Sequence, residues 1–221
     1  MRVILKLGGR VAGDAAAQAH VLRARGAEAV VVHGAGPQIS AELRRNAIAA
    51  EFVGGRRATS PAALAVVREV LVAVGADVCA ALGPEALQLV GDEIGLEAQP
   101  LPELGLVGEP LPSGPPAVEA ALADGWIPVV TPIAAGPLNV NADEAAGALA
   151  VGLGADRIVF VSDVPGVLVG GVVAERIEAL EATRLLHEGA FEGGIVPKLL
   201  AAVRAARLGV RAEIGATEVL A

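Results

Sequence analysis

The chain has 221 residues, 17 Lys+Arg against 25 Asp+Glu, and a formal net charge of −8, so with no basic cluster a nucleic-acid partner is not expected. That length buries a good core in one large domain or two small lobes. Cys79 is alone, which excludes a disulfide framework and a Cys-based metal site; His20, His33 and His187 have no ligand spacing, and no apolar run is long enough to cross a bilayer.

In chain order, RVILKL (2–7) is a short apolar run ending at Gly8-Gly9, a strand and a sharp turn. "MRVILKLGG" is too quickly charged for a signal peptide, so a soluble cytoplasmic protein is expected. Residues 14–25 read as a helix. AEAVVVHGAG (27–36) is a buried strand running into a Gly-rich loop, and PQISAELRRNAI is a helix with Pro37 in its first turn. Gly54-Gly55-Arg56-Arg57 is a turn. Ser60 caps a long helix, 61–82, with Pro61 at its first position. Residues 84–112 read as short strands with Gly/Pro turns, hairpins at the sheet edge. A helix (116–124), a strand (127–132), a second helix opening within 137–153, a strand in DRIVFV and a hairpin in VLVGGVVAERI follow. Helices at 178–188 and 195–208 and a strand at 210–214 close the chain. This alternation predicts an α/β fold with an open, mainly parallel central sheet sandwiched by helices, with edge hairpins.

The stretch PLNVNADEAAGALAVGL (137–153) stands out in a chain that is 54% hydrophobic, because Asn139, Asn141 and Asp143 alternate with Leu138, Val140 and Ala142. A local reading accounts for it. Asn141 N-caps the helix, Glu144 completes a capping-box spacing, and Asp143 and Glu144 suit the positive end of the helix dipole. Yet four polar turns each follow an apolar strand: Lys6 to Gly9, His33 to Gly36, Asn139 to Asp143, and Ser162 to Gly166. The carboxyl ends of an open parallel sheet form its ligand crevice, where Gly-rich turns let backbone N–H groups approach an anion. Lys6, in an apolar strand, either snorkels or serves such a site. Lys198, behind Gly193-Gly194 and beside Pro197, lies in the first turn of a helix, where it opposes the dipole unless an anion is bound. The chain has no P-loop, dinucleotide fingerprint or nucleophile elbow.

KLGG (6–9), HGAGP (33–37), GRRAT (55–59), LGLVGE (104–109), NVNADEAAGALA (139–150), SDVPGVL (162–168) and GGIVPK (193–198) together resemble the amino-acid kinase family over nearly the whole chain. Within it the chain is similar to the branch that acts on N-acetylglutamate. The resemblance implies one amino-acid kinase domain of carbamate kinase-like fold. Residues of about 1–154 would form an acceptor-binding and dimerisation lobe, and about 155–221 an ATP-binding lobe. It implies transfer of the γ-phosphoryl of ATP to the side-chain carboxylate of N-acetyl-L-glutamate, giving an acyl phosphate, in arginine biosynthesis.

By the same resemblance, Lys6 and Lys198 neutralise the transferring phosphoryl oxygens, Lys198 mainly on the ATP side, and Asp143 holds the two ammonium groups. Asn139 binds the amino-acid portion of the acceptor and Arg57 its carboxylate. The amides of Gly8, Gly9, Gly34, Ala35 and Gly36 cradle phosphoryl group and substrate, Asp163 organises the lysines or the nucleotide, and Ser162, Gly166 and Gly194 complete the ATP set. Mg²⁺ rides on the ATP phosphates, so no carboxylate cage is required. The acceptor is already a carboxylate, so no general base is needed. The helix at 61–82 resembles the family's dimer element, with Ala65, Val66, Val70, Val74 and Val78 as an exposed stripe or, equally, as core. The chain begins at its first strand, without the extra helix of arginine-inhibited hexamers, which implies a homodimer without that feedback.

Three departures qualify the match. Ala35 stands where the family has Gly, at a cost of about 1 kcal/mol if that position needs a positive φ. Ser60 stands where Asp is usual. After GVRAEI only GATEVLA remains, which predicts a trimmed ATP lobe. Two rivals follow: a kinase for aminoadipate or glutamate tethered to a small acidic carrier protein, and a non-catalytic ligand-binding homologue with a weakened ATP site.

Overall fold

A computed structural model describes residues 1–8, 12–161 and 164–221, the side chains of 12–17 excepted. The elements run β1 (Arg2–Leu7), α1 (Ala12–Ala24), β2 (Glu28–His33), α2 (Gly36–Arg45), the short pair β3 (Phe52–Val53) and β4 (Arg56–Arg57), and α3 (Pro61–Leu82). Next come β5 (Ala86–Val90), β6 (Ala98–Pro100), β7 (Val107–Pro110), α4 (Pro116–Ala123), β8 (Ile127–Thr131), β9 (Ile133–Ala134), β10 (Leu138–Val140) and α5 (Ala142–Gly152). The chain ends with β11 (Arg157–Val161), β12 (Leu168–Val169), β13 (Val172–Val173), β14 (Arg176–Glu178), α6 (Ala179–His187), α7 (Ile195–Arg207), β15 (Arg211–Ile214) and β16 (Thr217–Leu220).

The central sheet has the order β14-β16-β15-β11-β1-β2-β8-β5 and is parallel except where β15 meets β16. The chain leaves β1 toward β2 on one side and returns to β11 on the other. The strand order therefore reverses at β1, and the carboxyl ends of β1, β2 and β11 open onto the crevice expected at such a point. The half of the sheet from β11 outward is built from residues 157–220, the other half from residues 2–131.

Strand alternation decides which helix each side chain meets. Val3, Leu5 and Leu7 enter a cluster with Ala19 and Leu22 of α1 and Val78 and Leu82 of α3. Ile4 points the other way, into a cluster with the alanines of α5, α6 and α7. Lys6 has the parity of Ile4, so the period of two turns it toward α5. Helix α5 packs closely on α7: a Cβ at Gly147 would lie 3.5 Å from the Ala201 carbonyl. Gly147 is one turn beyond Asp143 and Ala201 one turn beyond Lys198, so small residues at this crossing bring the two functional side chains together.

Helix α3 runs over the predicted residues. The Ser60 hydroxyl accepts from the Ala63 N–H at 3.2 Å, Pro61 opens the helix and Gly83, at φ 89, ends it. The predicted apolar stripe on α3 resolves mostly to core: Val78 is buried, and Val66, Val70 and Val74 pack partly buried against the clusters. Of the stripe only Ala65 is exposed, and it shares the outer face of the helix with Ala73, Ala76 and Ala80 and the acids Glu69 and Asp77.

Expectations for three segments are corrected. Residues 86–90 form a parallel edge strand on β8 rather than a hairpin arm, their partner lying some 40 residues away. Strands β6 and β7 do pair antiparallel, but in a separate sheet of order β6-β7-β10-β9. Residues 138–140 are a strand of that second sheet, parallel to β7, so the Asn139 to Asp143 turn does not follow a central strand. The hairpin over 167–177 stops at β13, after a Gly170-Gly171 turn with φ 59 and 83, while Arg176–Glu178 joins the main sheet.

At the end of the chain β15 passes to β16 through a short turn, with no helix between them. GATEVLA supplies β16, which lies between β14 and β15. Thr217 accepts from the Val167 N–H at 2.8 Å and donates to the Ala174 carbonyl at 2.6 Å. The Ala216 N–H donates to Pro165 O at 2.8 Å. The final segment thus pins the loop after β11.

Candidate active site

Two cavities lie over the carboxyl ends of the strands. The smaller, about 240 Å³, is lined by Lys6, Gly8, Gly34, Ala35, Gly36, Arg57, Asn139, Asp143 and Lys198 among others. The larger, about 440 Å³, is lined by Gly166, Gly194 and Lys198 together with Val164, Phe191 and Glu192. All the predicted site residues that are described fall in one or the other, and Lys198 lines both. Gly9, Ser162 and Asp163 lie outside the described residues.

Lys6 is buried and does not snorkel. Its Nζ lies 2.7 Å from Asp143 Oδ1, and Lys198 Nζ lies 3.7 Å from the same oxygen. Burial pushes the Lys6 ammonium below its ordinary range and the Lys198 charge adds to that, while Asp143 opposes it. Two ammonium groups on one carboxylate leave a local charge of +1 inside a chain of −8. Such a charge, poorly solvated and held in place, stabilises an incoming anion more than a surface lysine would.

Asp143 is free for this role because the cap is made by another residue. Asn141 Oδ1 accepts from the Asp143 and Glu144 N–H groups at 2.9 and 3.2 Å. The return half of the expected capping box is absent, because the Glu144 carboxylate turns to Arg56, at 3.0 Å. Lys198 is the fourth residue of α7 and donates to the Gly194 carbonyl at 3.3 Å.

The Gly8 and Gly34 N–H groups donate to Val161 O and Leu7 O, both at 3.2 Å, so these two amides are engaged within the sheet. Helix α2 begins at Gly36, on the same cavity, where its first N–H groups have no partner within the helix. A Cβ at Gly34 would lie 3.4 Å from the Ala142 Cβ and 4.0 Å from Lys6 Nζ, in ordinary contact with both. Ala35 has φ −141, so no strain attends its replacement of glycine. His33, behind this turn, is held down to about 4 by burial, with Lys6 adding to the effect, and carries no charge near neutrality.

Arg57 is buried and none of the ion pairs among the described residues involves it. Its Nη2 donates to Ser40 Oγ at 2.9 Å and to Gly36 O at 3.3 Å, its Nη1 has no hydrogen-bond partner among the described residues, and its Cζ lies 4.5 Å from the centre of the Phe52 ring. Asn139 donates to Thr59 Oγ1 at 3.0 Å, and Thr59 donates to Arg57 O at 2.7 Å. Thr59 and Ser40 escaped the sequence reading. Thr59 was legible only as part of GRRAT, and Ser40 looked like the polar face of an ordinary amphipathic helix.

A sequence profile of the amino acid kinase family matches residues 1–215. An acetylglutamate kinase of Roseiflexus castenholzii is 40% identical, over 95% of this chain and 87% of the relative. The crystal structure of smu.665 from Streptococcus mutans UA159 superposes with a TM-score of 0.90 at 27% identity, covering 99% of this chain and 98% of that one. The carbamate kinase of Giardia lamblia bound to AMP-PNP shares the fold, with a TM-score of 0.74 at 15% identity and coverage of 99% and 98%.

Proposed function

The chain belongs to the amino acid kinase family, and from that membership we propose that it transfers the γ-phosphoryl group of ATP to the side-chain carboxylate of N-acetyl-L-glutamate, as a step of arginine biosynthesis. The observation that carries the reading is the pair Lys6 and Lys198 on one oxygen of Asp143, at the junction of two cavities. The smaller cavity is the proposed seat of the acceptor, with Arg57 on its carboxylate and Asn139 beside its amino-acid portion. The larger is the seat of ATP, and the two halves of the sheet are the corresponding lobes.

An acceptor carboxylate oxygen attacks the γ-phosphorus while the bond to the β,γ-bridging oxygen breaks, and ADP carries that oxygen away. No proton moves, so the site needs no poised base. Its work is alignment and neutralisation of a metaphosphate-like transition state. Lys6 would meet the phosphoryl oxygens from the acceptor side and Lys198 from the ATP side, with Asp143 holding both ammonium groups in place beforehand. Mg²⁺ is part of the proposal, carried on the ATP phosphates and neutralising their charge; among the described residues no group of three or more His, Cys, Asp or Glu could hold a metal. Dependence on ATP and the lone free cysteine suit a cytoplasmic setting.

The acyl group follows from charge. Asp143 is the one carboxylate among the described residues lining the smaller cavity, and both lysines hold it. The ammonium of free glutamate would therefore be buried without a counter-charge, which is costly. In a coupled ADP-release assay over a panel of acceptors, kcat/KM for N-acetylglutamate is expected to exceed that for glutamate or aspartate by roughly 10²-fold or more. Equal values for free glutamate would overturn the assignment.

A homodimer through α3 belongs to the same proposal. The exposed alanines of that helix let a partner backbone come close. Light scattering is expected to give twice the mass of one chain, and a monomer at micromolar concentration would remove this part.

A further inference from the structure

The pair β3–β4 is a two-stranded hairpin that belongs to neither larger sheet, and both residues of its first strand, Phe52 and Val53, are exposed. Such a hairpin is marginal by itself. Yet it carries Arg57, the residue proposed to grip the acceptor carboxylate. Something outside the hairpin must fix it.

Resting on the proposed function above, we propose that Arg56 and Glu144 form a positioning pair that clamps this hairpin onto α5 and so holds Arg57 in register with the phosphoryl-transfer residues. Adjacent strand residues point to opposite faces, so Arg57 reaches Gly36 and Ser40 of α2 while Arg56 reaches Glu144 of α5, on two sides of the acceptor cavity. Arg56 Nε lies 3.2 and 3.1 Å from the two carboxylate oxygens of Glu144, and its Nη2 lies 3.0 Å from Oε2. Both side chains are largely shielded, 23% and 15% exposed. This fork-on-carboxylate geometry fixes direction as well as distance. The Asn141 side chain adds a longer contact to Gly55 O at the hairpin turn, 3.4 Å.

The placement of Glu144 gives the pair its meaning. It follows Asp143 on the first turn of α5, so the clamp and the lysine bridge share one rigid helix end. Glu144 has also left the capping-box role that its position offers. Arg56 Nη2 lies 3.6 Å from Glu109, which in turn meets Arg204 of α7 at 2.7 Å. That outer link is at the solvent rim, with Arg204 57% exposed, and exposed pairs contribute little. The clamp is therefore Arg56–Glu144.

Glu144 does not line the acceptor cavity, whereas Arg56 does. Glu144→Gln thus reads positioning without removing a group that could touch the acceptor. In the full chain, Glu144→Gln and Arg56→Met are each expected to raise the acceptor KM roughly tenfold, because a hairpin seated only part of the time dilutes the competent state. The ATP KM and kcat should stay within about twofold, the double variant should be no worse than either single one, and Arg56→Lys should recover only part of the loss. Arg204→Ala should change the acceptor KM less than twofold. Hydrogen exchange over residues 52–57 should quicken in Glu144→Gln, a readout that does not depend on turnover. An active parent whose acceptor KM and hairpin exchange are unmoved in Glu144→Gln would overturn the clamp alone. A parent inactive on N-acetylglutamate would overturn the function, leaving hairpin exchange to decide the clamp. If Glu144→Gln fails to fold, Arg56→Lys with an unchanged acceptor KM overturns the clamp.

Discussion

Asp143→Asn is expected to keep a cooperative fold and lose roughly 10²–10³-fold in kcat, the usual cost of removing one preorganised transition-state contact. Two readings of the residue compete, and this change separates them. As a helix-end residue Asp143 could become Asn at little cost, since the cap is Asn141 and the dipole contribution of one acid is small. As the shared counter-charge of Lys6 and Lys198 it cannot. Asn is neutral, so two ammonium groups would face each other across the position, and the lysines would move apart from the line of transfer. Lys6 would also be left buried without its anion, so the melting temperature should fall by roughly 5–10 °C. Steady-state kinetics with both substrates saturating, beside thermal unfolding, measure the two effects together. A folded variant with near-parent kcat would return NVNAD to the role of a helix cap and remove the lysine-bridge mechanism.

The legible parts of the molecule were those whose cause is local. Ser60, Pro61 and Gly83 delimit α3 by capping chemistry, and both ends fall where the sequence places them. Strand β1 is apolar at every position but Arg2 and Lys6, and the lysine that breaks the run is the one that serves the site. What escaped depends on partners distant in sequence. Ala86–Val90 is half-buried throughout and followed by Gly91, so it reads like a hairpin arm; only β8 makes it a parallel edge. Thr217–Leu220 is too short to declare itself, and becomes a strand because β14 and β15 flank it. Glu144 is the clearest case: its spacing from Asn141 predicts a capping box, but a guanidinium 88 residues away offers a charged partner and wins.

Arg57→Met is expected to raise the acceptor KM by roughly 10²-fold or more while leaving the protein as stable as the parent, or more stable. The opposite signs follow from one observation. Arg57 is a buried guanidinium whose charge meets, among the described residues, only a hydroxyl, a carbonyl and an aromatic ring, with Nη1 unpartnered by any of them. Burial pushes it below its ordinary range, which means that the fold disfavours its charged form. Methionine keeps the length and the apolar stem, fills the same space against Phe52 and removes the poorly compensated charge. Ser40 is half-exposed and regains water in place of the lost donor. What methionine cannot do is meet a carboxylate. That grip persists from bound acceptor to transition state, so its loss should appear in KM, with kcat changed by no more than about threefold. A higher melting temperature with an unchanged acceptor KM would show that Arg57 has no ligand to hold. A collapse in stability would show that Ser40 and Gly36, not an acceptor, are the partners that account for its burial.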